Sequence, residues 1–194
     1  NNNTAQTGGG CYLTKNTDLY NCTIVKNEGT EAYGGVYFNS PADIRNCIIW
    51  GNVCTNGDIQ IGPLQTYTCC AIQGQPTEKG NNFSIAIEND DDSTGFYVRF
   101  KDADVAAGSI GRDGDWRLQP NSFCIDRGDS ITNQPEFDLD GNPRFRHKSI
   151  DLGAYESNTI AHFIEANIAS MTHTITKTLT SRSEERRVGK ECRS

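Results

Sequence analysis

The sequence predicts an all-β fold, a parallel β-helix of stacked coils, and three observations predict it. The stretch from Gly9 to Asn52 says the same thing twice at an offset of 25 residues: Gly9 matches Gly34, Tyr12 matches Tyr37, Asn21 matches Asn46, Cys22 matches Cys47 and Asn27 matches Asn52. A repeat of that length is a supersecondary unit that cannot bury its own apolar face and must stack on a copy of itself. Nineteen glycines, with many Asn, Asp and Thr, favour short strands joined by turns. No Leu-x-x-Leu-x-Leu frame is present, which sets aside a leucine-rich repeat of similar period.

Within each copy a Gly-led apolar strand comes first, Cys11-Tyr12-Leu13 or Val36-Tyr37-Phe38. A turn rich in Asn, Asp, Ser and Pro leads to a second strand, Cys22-Thr23-Ile24-Val25 or Cys47-Ile48-Ile49-Trp50, and a polar stretch closes the copy. Two or three strands per coil are therefore expected, with Asn1 to Thr7 read as the remains of a preceding turn. A weaker third copy aligns Gly57 to Ile61 with Gly34 to Phe38, and Cys69 to Ile72 with Asn46 to Ile49, both at an offset of 23. Cys22, Cys47 and Cys70 then form one inward ladder, and Asn21 and Asn46 another at a corner. Residues 1–74 are thus expected to be coils. Phe83 to Ile87 and Phe96 to Phe100 read as further strands. Between Ile160 and Leu179 the apolar spacing suits a helix while the Thr-rich second half opposes one, so residues 157–181 are left open between helix and linker.

Three later segments carry a family resemblance. Asp113-Gly-Asp-Trp-Arg-Leu-Gln-Pro-Asn-Ser-Phe-Cys-Ile-Asp-Arg-Gly-Asp129, then Asp138-Leu-Asp-Gly-Asn-Pro-Arg144, then Ile150-Asp-Leu-Gly-Ala-Tyr-Glu156 resemble the C-terminal region of bacterial surface β-helix proteins known as the choice-of-anchor Q domain. Trp116 stands where that pattern has Tyr, and Phe123 where it has Pro. The resemblance implies a right-handed, single-stranded β-helix on an exported or surface-attached (outer-membrane-associated) bacterial protein, with residues 75–156 as the last coil and a cap that seals the open strand edge.

The totals limit the partners. Net charge is −7, and Arg182 to Ser194 resembles a translated sequencing adapter and is treated as an artefactual tail. Without its five Lys and Arg and three Glu, the 18 basic and 25 acidic residues become 13 and 22, a net charge of −9. An acidic chain of this kind is not expected to bind nucleic acid or an anionic membrane. No stretch approaches the roughly 20 apolar residues of a membrane span. The chain opens on Asn1 without Met and reads as part of a longer protein.

No cofactor is expected; calcium is the metal candidate on oxygen ligands, and zinc on the cysteines is a minor alternative. Asp138, Asp140 and Asn142 offer alternating oxygen ligands around the Gly141 turn, like half of a calcium loop. The bidentate Glu of such a loop is missing, and the same residues make an ion-free turn. The cysteines lack metal spacing; they read as core fillers, with disulfides such as Cys11–Cys22 or Cys54–Cys69 as the alternative in an oxidising compartment. His147, His162 and His173 connect to no nucleophile, so no hydrolytic triad is assigned. Asp18 and Asp43 align one coil apart, the arrangement of a glycosidase pair, but both sit in turns that Asp commonly closes. Tyr12, Tyr20, Tyr37 and Trp50 are candidates for stacking on sugars or for packing. The expected role is a structural or adhesive segment of a cell-surface protein that binds glycan or a surface protein. The alternative is the end of a polysaccharide lyase or glycoside hydrolase whose active coils lie upstream.

Overall fold

The computed structural model describes residues 1–15, 17–55, 60–62, 66–74, 83–85, 98–102, 114–130 and 134–159. They hold fourteen strands and no helix: β1 (Thr4–Thr7), β2 (Cys11–Leu13), β3 (Leu19–Tyr20), β4 (Thr23–Val25), β5 (Glu28–Ala32), β6 (Val36–Phe38), β7 (Asp43–Arg45), β8 (Ile48–Trp50), β9 (Val53–Cys54), β10 (Thr66–Thr68), β11 (Ala71–Gln73), β12 (Phe83–Ile85), β13 (Phe100–Asp102) and β14 (Asp115–Leu118). The segment read as helix or linker, from residue 160 onward, and the tail lie outside the described residues.

Four of the sheets are parallel, and each takes one strand from each repeat. Their orders are β1-β5-β9, β2-β6, β10-β7-β3 and β12-β11-β8-β4. Ile24 pairs with Ile49 and Tyr12 with Tyr37, as the 25-residue offset requires. Each of the first two repeats therefore supplies four strands rather than two or three. The strands missed were β3 and β7, where a turn into the second strand was expected and β7 contains Asp43, and the polar ones. Asn1 to Thr7 contains β1, and the closing stretch after Asn27 is β5, whose ladder to β1 and β9 is carried by backbone groups while its middle residues face solvent. The third repeat also needs correction: Val36 bridges Ile61, an offset of 25, and Asp43 pairs with Thr66, an offset of 23. The two-residue contraction falls after Ile61, not before Gly57.

Stacking explains the matched residues. A Cβ at Gly34 would collide with the Val53 carbonyl, and one at Gly35 with the Gln60 carbonyl, so backbone passes where a side chain would sit. Corners repeat as well: Asn21, Asn46 and Cys69 have φ of 51°, 54° and 50°, and Lys26, Gly51 and Gly74 have φ of 53°, 62° and 70°. The left-handed region is disfavoured for most residues, and Asn is among the types that tolerate it. Asn46 Nδ2 donates to Asn21 Oδ1 at 3.0 Å, the expected corner ladder. A second amide ladder runs inside. The backbone N–H and Nδ2 of Asn3 donate to Asn27 Oδ1, those of Asn27 to Asn52 Oδ1, and those of Asn52 to Gln60 Oε1.

Two cores lie on opposite faces of the β4-β8-β11 ladder. One face carries Ile24, Ile49 and Ile72 into an inner core with Leu19, Val36, Ile44, Cys47 and Cys70. The other carries Val25, Ile48, Trp50 and Ala71 into an outer core with Val98, Phe100, Leu118, Cys124, Ile125 and Leu152. The adjacent pair Cys69-Cys70 splits between them, as strand alternation predicts. The C-terminal segments thus cover a side of the repeats: Gly153 N–H donates to Asn46 O, and Asp129 N–H to Asn46 Oδ1, each at 2.8 Å. Residues 98–102, 114–130 and 134–159 pack on the side of the repeats, while β12, in the same region that the resemblance reads as last coil and cap, pairs in parallel along the edge of β11. Trp116, at the position where the resembling pattern has Tyr, packs edge-on to Phe100 at 5.2 Å and under Lys26 Nζ at 4.9 Å.

Candidate functional site

The most organised surface chemistry lies on the outward residues of β2-β6 and β3-β7. Tyr12 and Tyr37 lie one repeat apart with ring centroids 5.0 Å apart and planes tilted by 43°, and Tyr33 follows 5.2 Å from Tyr37 with a tilt of 32°. Tyr12 is 52% exposed, while Tyr33 and Tyr37 are half-buried. The parallel register sets this spacing, because paired residues in neighbouring strands share a face. Trp50, the fourth aromatic candidate, is buried in the outer core and takes the packing role.

On β3-β7 the Asp18 and Asp43 pair is brought together as the offset predicts. Tyr20 Oη lies 3.2 Å from Asp18 Oδ2 and 3.4 Å from Asp43 Oδ2. Partial burial, then Asp43 and Asp18, raise the Tyr20 hydroxyl above its ordinary range and keep it a donor. Asp18 Oδ1 accepts the Asp43 backbone N–H at 3.0 Å, and Arg45 Nε pairs with Asp43 at 2.7 Å. Thr66 takes the place of the acid in the third repeat. Both carboxylates therefore have structural partners, and the cluster ends within two repeats. Tyr20, expected as a stacking or packing aromatic, instead bonds the carboxylates, and Arg45 was missed by sequence reasoning; their i, i+2 spacing from Asp18 and Asp43 is the signal that would have joined them to the pair.

The calcium candidates occupy a different place. Asp138 accepts from the backbone N–H groups of Asp140, Asn142 and Glu156 and from Asn142 Nδ2, at 2.7 to 3.1 Å. Those bonds outweigh its burial and lower its carboxyl below the usual range. Asp140 turns outward to Arg117, which also holds Asp115 at 3.0 Å. Asp138 is thus the closure of its own turn, and a guanidinium stands against Asp140. Among the described residues no group of three or more His, Cys, Asp and Glu side chains is arranged to hold a metal ion.

Beside this turn lies a buried polar clamp that sequence reasoning did not identify. Arg144 Nη1 donates to Glu156 Oε1 at 3.1 Å and to Gly153 O at 3.0 Å, and Nη2 donates to Ala154 O at 3.2 Å. Asp151 accepts the N–H groups of Asp126 and Ser157. The guanidinium pairs with Glu156, whose carboxyl in turn accepts the Asp151 backbone N–H. Burial, reinforced by the Asp151 charge, raises Glu156 to about 8 against the pull of Arg144; burial raises Asp151 to about 6. Perturbed carboxyls mark reactive sites in some proteins. Here every oxygen named is bonded to the fold, so the clamp is structural.

No family, curated protein or solved structure matches the chain. Among the described residues no helix is long and apolar enough to cross a membrane.

Proposed function

We propose that this chain is a stretch of right-handed parallel β-helix, of choice-of-anchor Q type, serving a structural or adhesive role in an exported bacterial surface protein and binding glycan along its tyrosine-bearing face. The parallel ladders at 23 to 25 residues support the helix, and the three resembling segments support the surface location. The observation that carries the binding role is the Tyr12, Tyr37 and Tyr33 row. Aromatic faces in a line offer apolar platforms to pyranose rings, and the Asp18, Tyr20, Asp43 and Arg45 group on the following strands offers hydroxyl-binding partners.

Affinity electrophoresis through gels cast with neutral and uronic-acid polysaccharides tests this. Migration is expected to be retarded by at least one glycan, and Tyr12→Ala with Tyr37→Ala is expected to abolish the retardation, with no new reducing ends formed. Unretarded migration in every gel would remove the glycan reading. Cleavage that disappears in Asp18→Asn or Asp43→Asn would replace it with the carbohydrate-enzyme reading.

A further inference from the structure

Of the seven described cysteines, Cys47, Cys54, Cys69, Cys70 and Cys124 are buried, whereas Cys11 and Cys22 are only partly so. Those two also share a place. Both line a groove of about 580 Å³ at the first-repeat end of the inner core, together with Leu19, Ile24, Phe137 and Arg144. Both pack against the same inner core, and burial, then the nearby Cys22, raises the Cys11 thiol above its ordinary range. The pairing is peculiar to the first repeat. One repeat on, the position of Cys11 is Val36 while the position of Cys22 is Cys47, and the bridge from Val36 leads to Ile61. Cys69 faces the outer core, which separates it from the inner-core thiols.

We propose that Cys11 and Cys22 are a redox-active thiol pair that closes a disulfide across the first repeat by exchange with a low-molecular-weight disulfide. The Cys22 thiolate attacks one sulfur of the small disulfide, giving a mixed disulfide and releasing one small thiolate, which takes up the proton Cys22 lost. The Cys11 thiolate then attacks the Cys22 sulfur of that mixed disulfide and expels the second small thiol. Two protein thiols are oxidised and one small disulfide is reduced to two thiols. Cys22 is suited to the first attack: it lines the open groove, and the neighbouring Cys47 thiol, then Arg144, favour its thiolate over its own burial. The bond would tie the start of β2 to the start of β4 and enclose β3, where Asp18 and Tyr20 lie.

The test is native incubation of the full chain with oxidised glutathione at mildly alkaline pH, then alkylation and tryptic mapping. Trypsin cuts after Lys15 and Lys26, so the predicted bond joins two separate peptides. Both cysteines are expected to pass from alkylated to protected, with the linked pair recovered and the buried cysteines still free. In Cys11→Ser, Cys22 is expected to retain glutathione as a mixed disulfide. Recovery of Cys11 and Cys22 both alkylated, linkage of Cys22 to Cys47 instead, or an unmodified Cys22 in the Cys11→Ser chain would each overturn the proposal.

Discussion

The repeats and the segments that cover them are held by different physics. In the repeats the main-chain and amide interactions are made again one repeat later: backbone ladders, left-handed corners and amide ladders all recur. The described residues from 98 to 159 hold one short antiparallel strand pair, β13 with β14, and little other regular structure, and their order comes largely from side chains bonding backbone groups. Losing one rung of a ladder leaves similar rungs beside it. Losing one member of a single-copy clamp leaves its partners buried with nothing to replace it. Tolerance to substitution should therefore divide along this boundary.

Arg144→Met gives the largest expected effect. It removes the cation paired with the buried Glu156 and the donor to the Gly153 carbonyl, for a loss of about 3–5 kcal/mol in urea unfolding. A loss no larger than that of a ladder residue would erase the proposed contrast. Asn52→Ala in the inner ladder should cost less, about 2 kcal/mol, because it frees the buried Asn27 amide groups while the flanking ladders persist. The same denaturation series checks both.

The clamp also makes a pH prediction that the repeats do not share. Glu156 binds its proton more tightly folded, at about 8 against an ordinary 4.5, so its contribution is complete below 4.5 and is lost as pH rises through 8. Stability should fall over that window with a slope of at most about 1.4 kcal/mol per pH unit. Asp151, raised from 3.8 to about 6, acts in the same direction at lower pH. Denaturation midpoints across the range check this, and Glu156→Gln should flatten the upper part. The smallest expected effect belongs to the calcium candidates. Asp140→Asn breaks a solvent-facing pair, and added calcium should leave the melting temperature unchanged. A calcium-induced rise that vanishes in Asp138→Asn would restore the metal reading.

What could be read from the sequence follows the same division. The offset was legible because stacking forces like residues into like positions: glycine where backbone passes close, asparagine at a left-handed corner, cysteine in a narrow interior. β1 and β5 were not legible, since a strand whose outward residues face water and whose ladder is made by backbone and polar side chains carries no apolar alternation. The outer core was hidden for another reason. Cys124 and Leu152 keep no 25-residue offset from Ile48 or Trp50, and only the chain's path brings them together. Within the candidate site the Asp18 and Asp43 pair could be foreseen from the offset, whereas the roles of Tyr20 and Arg45 depend on which way a two- or three-residue strand faces.

The two-sided burial of β8 also limits how such a chain can grow. Duplicating a repeat copies its four strands and both amide ladders, but not the separate segment that covers Val25, Ile48, Trp50 and Ala71. A duplicated unit beyond the reach of residues 98–152 would present a tryptophan and an isoleucine to water and invite lateral association. Lengthening by duplication is therefore compatible with solubility only where the outward row of the new strand becomes polar, and the cover sets how many repeats can keep it apolar.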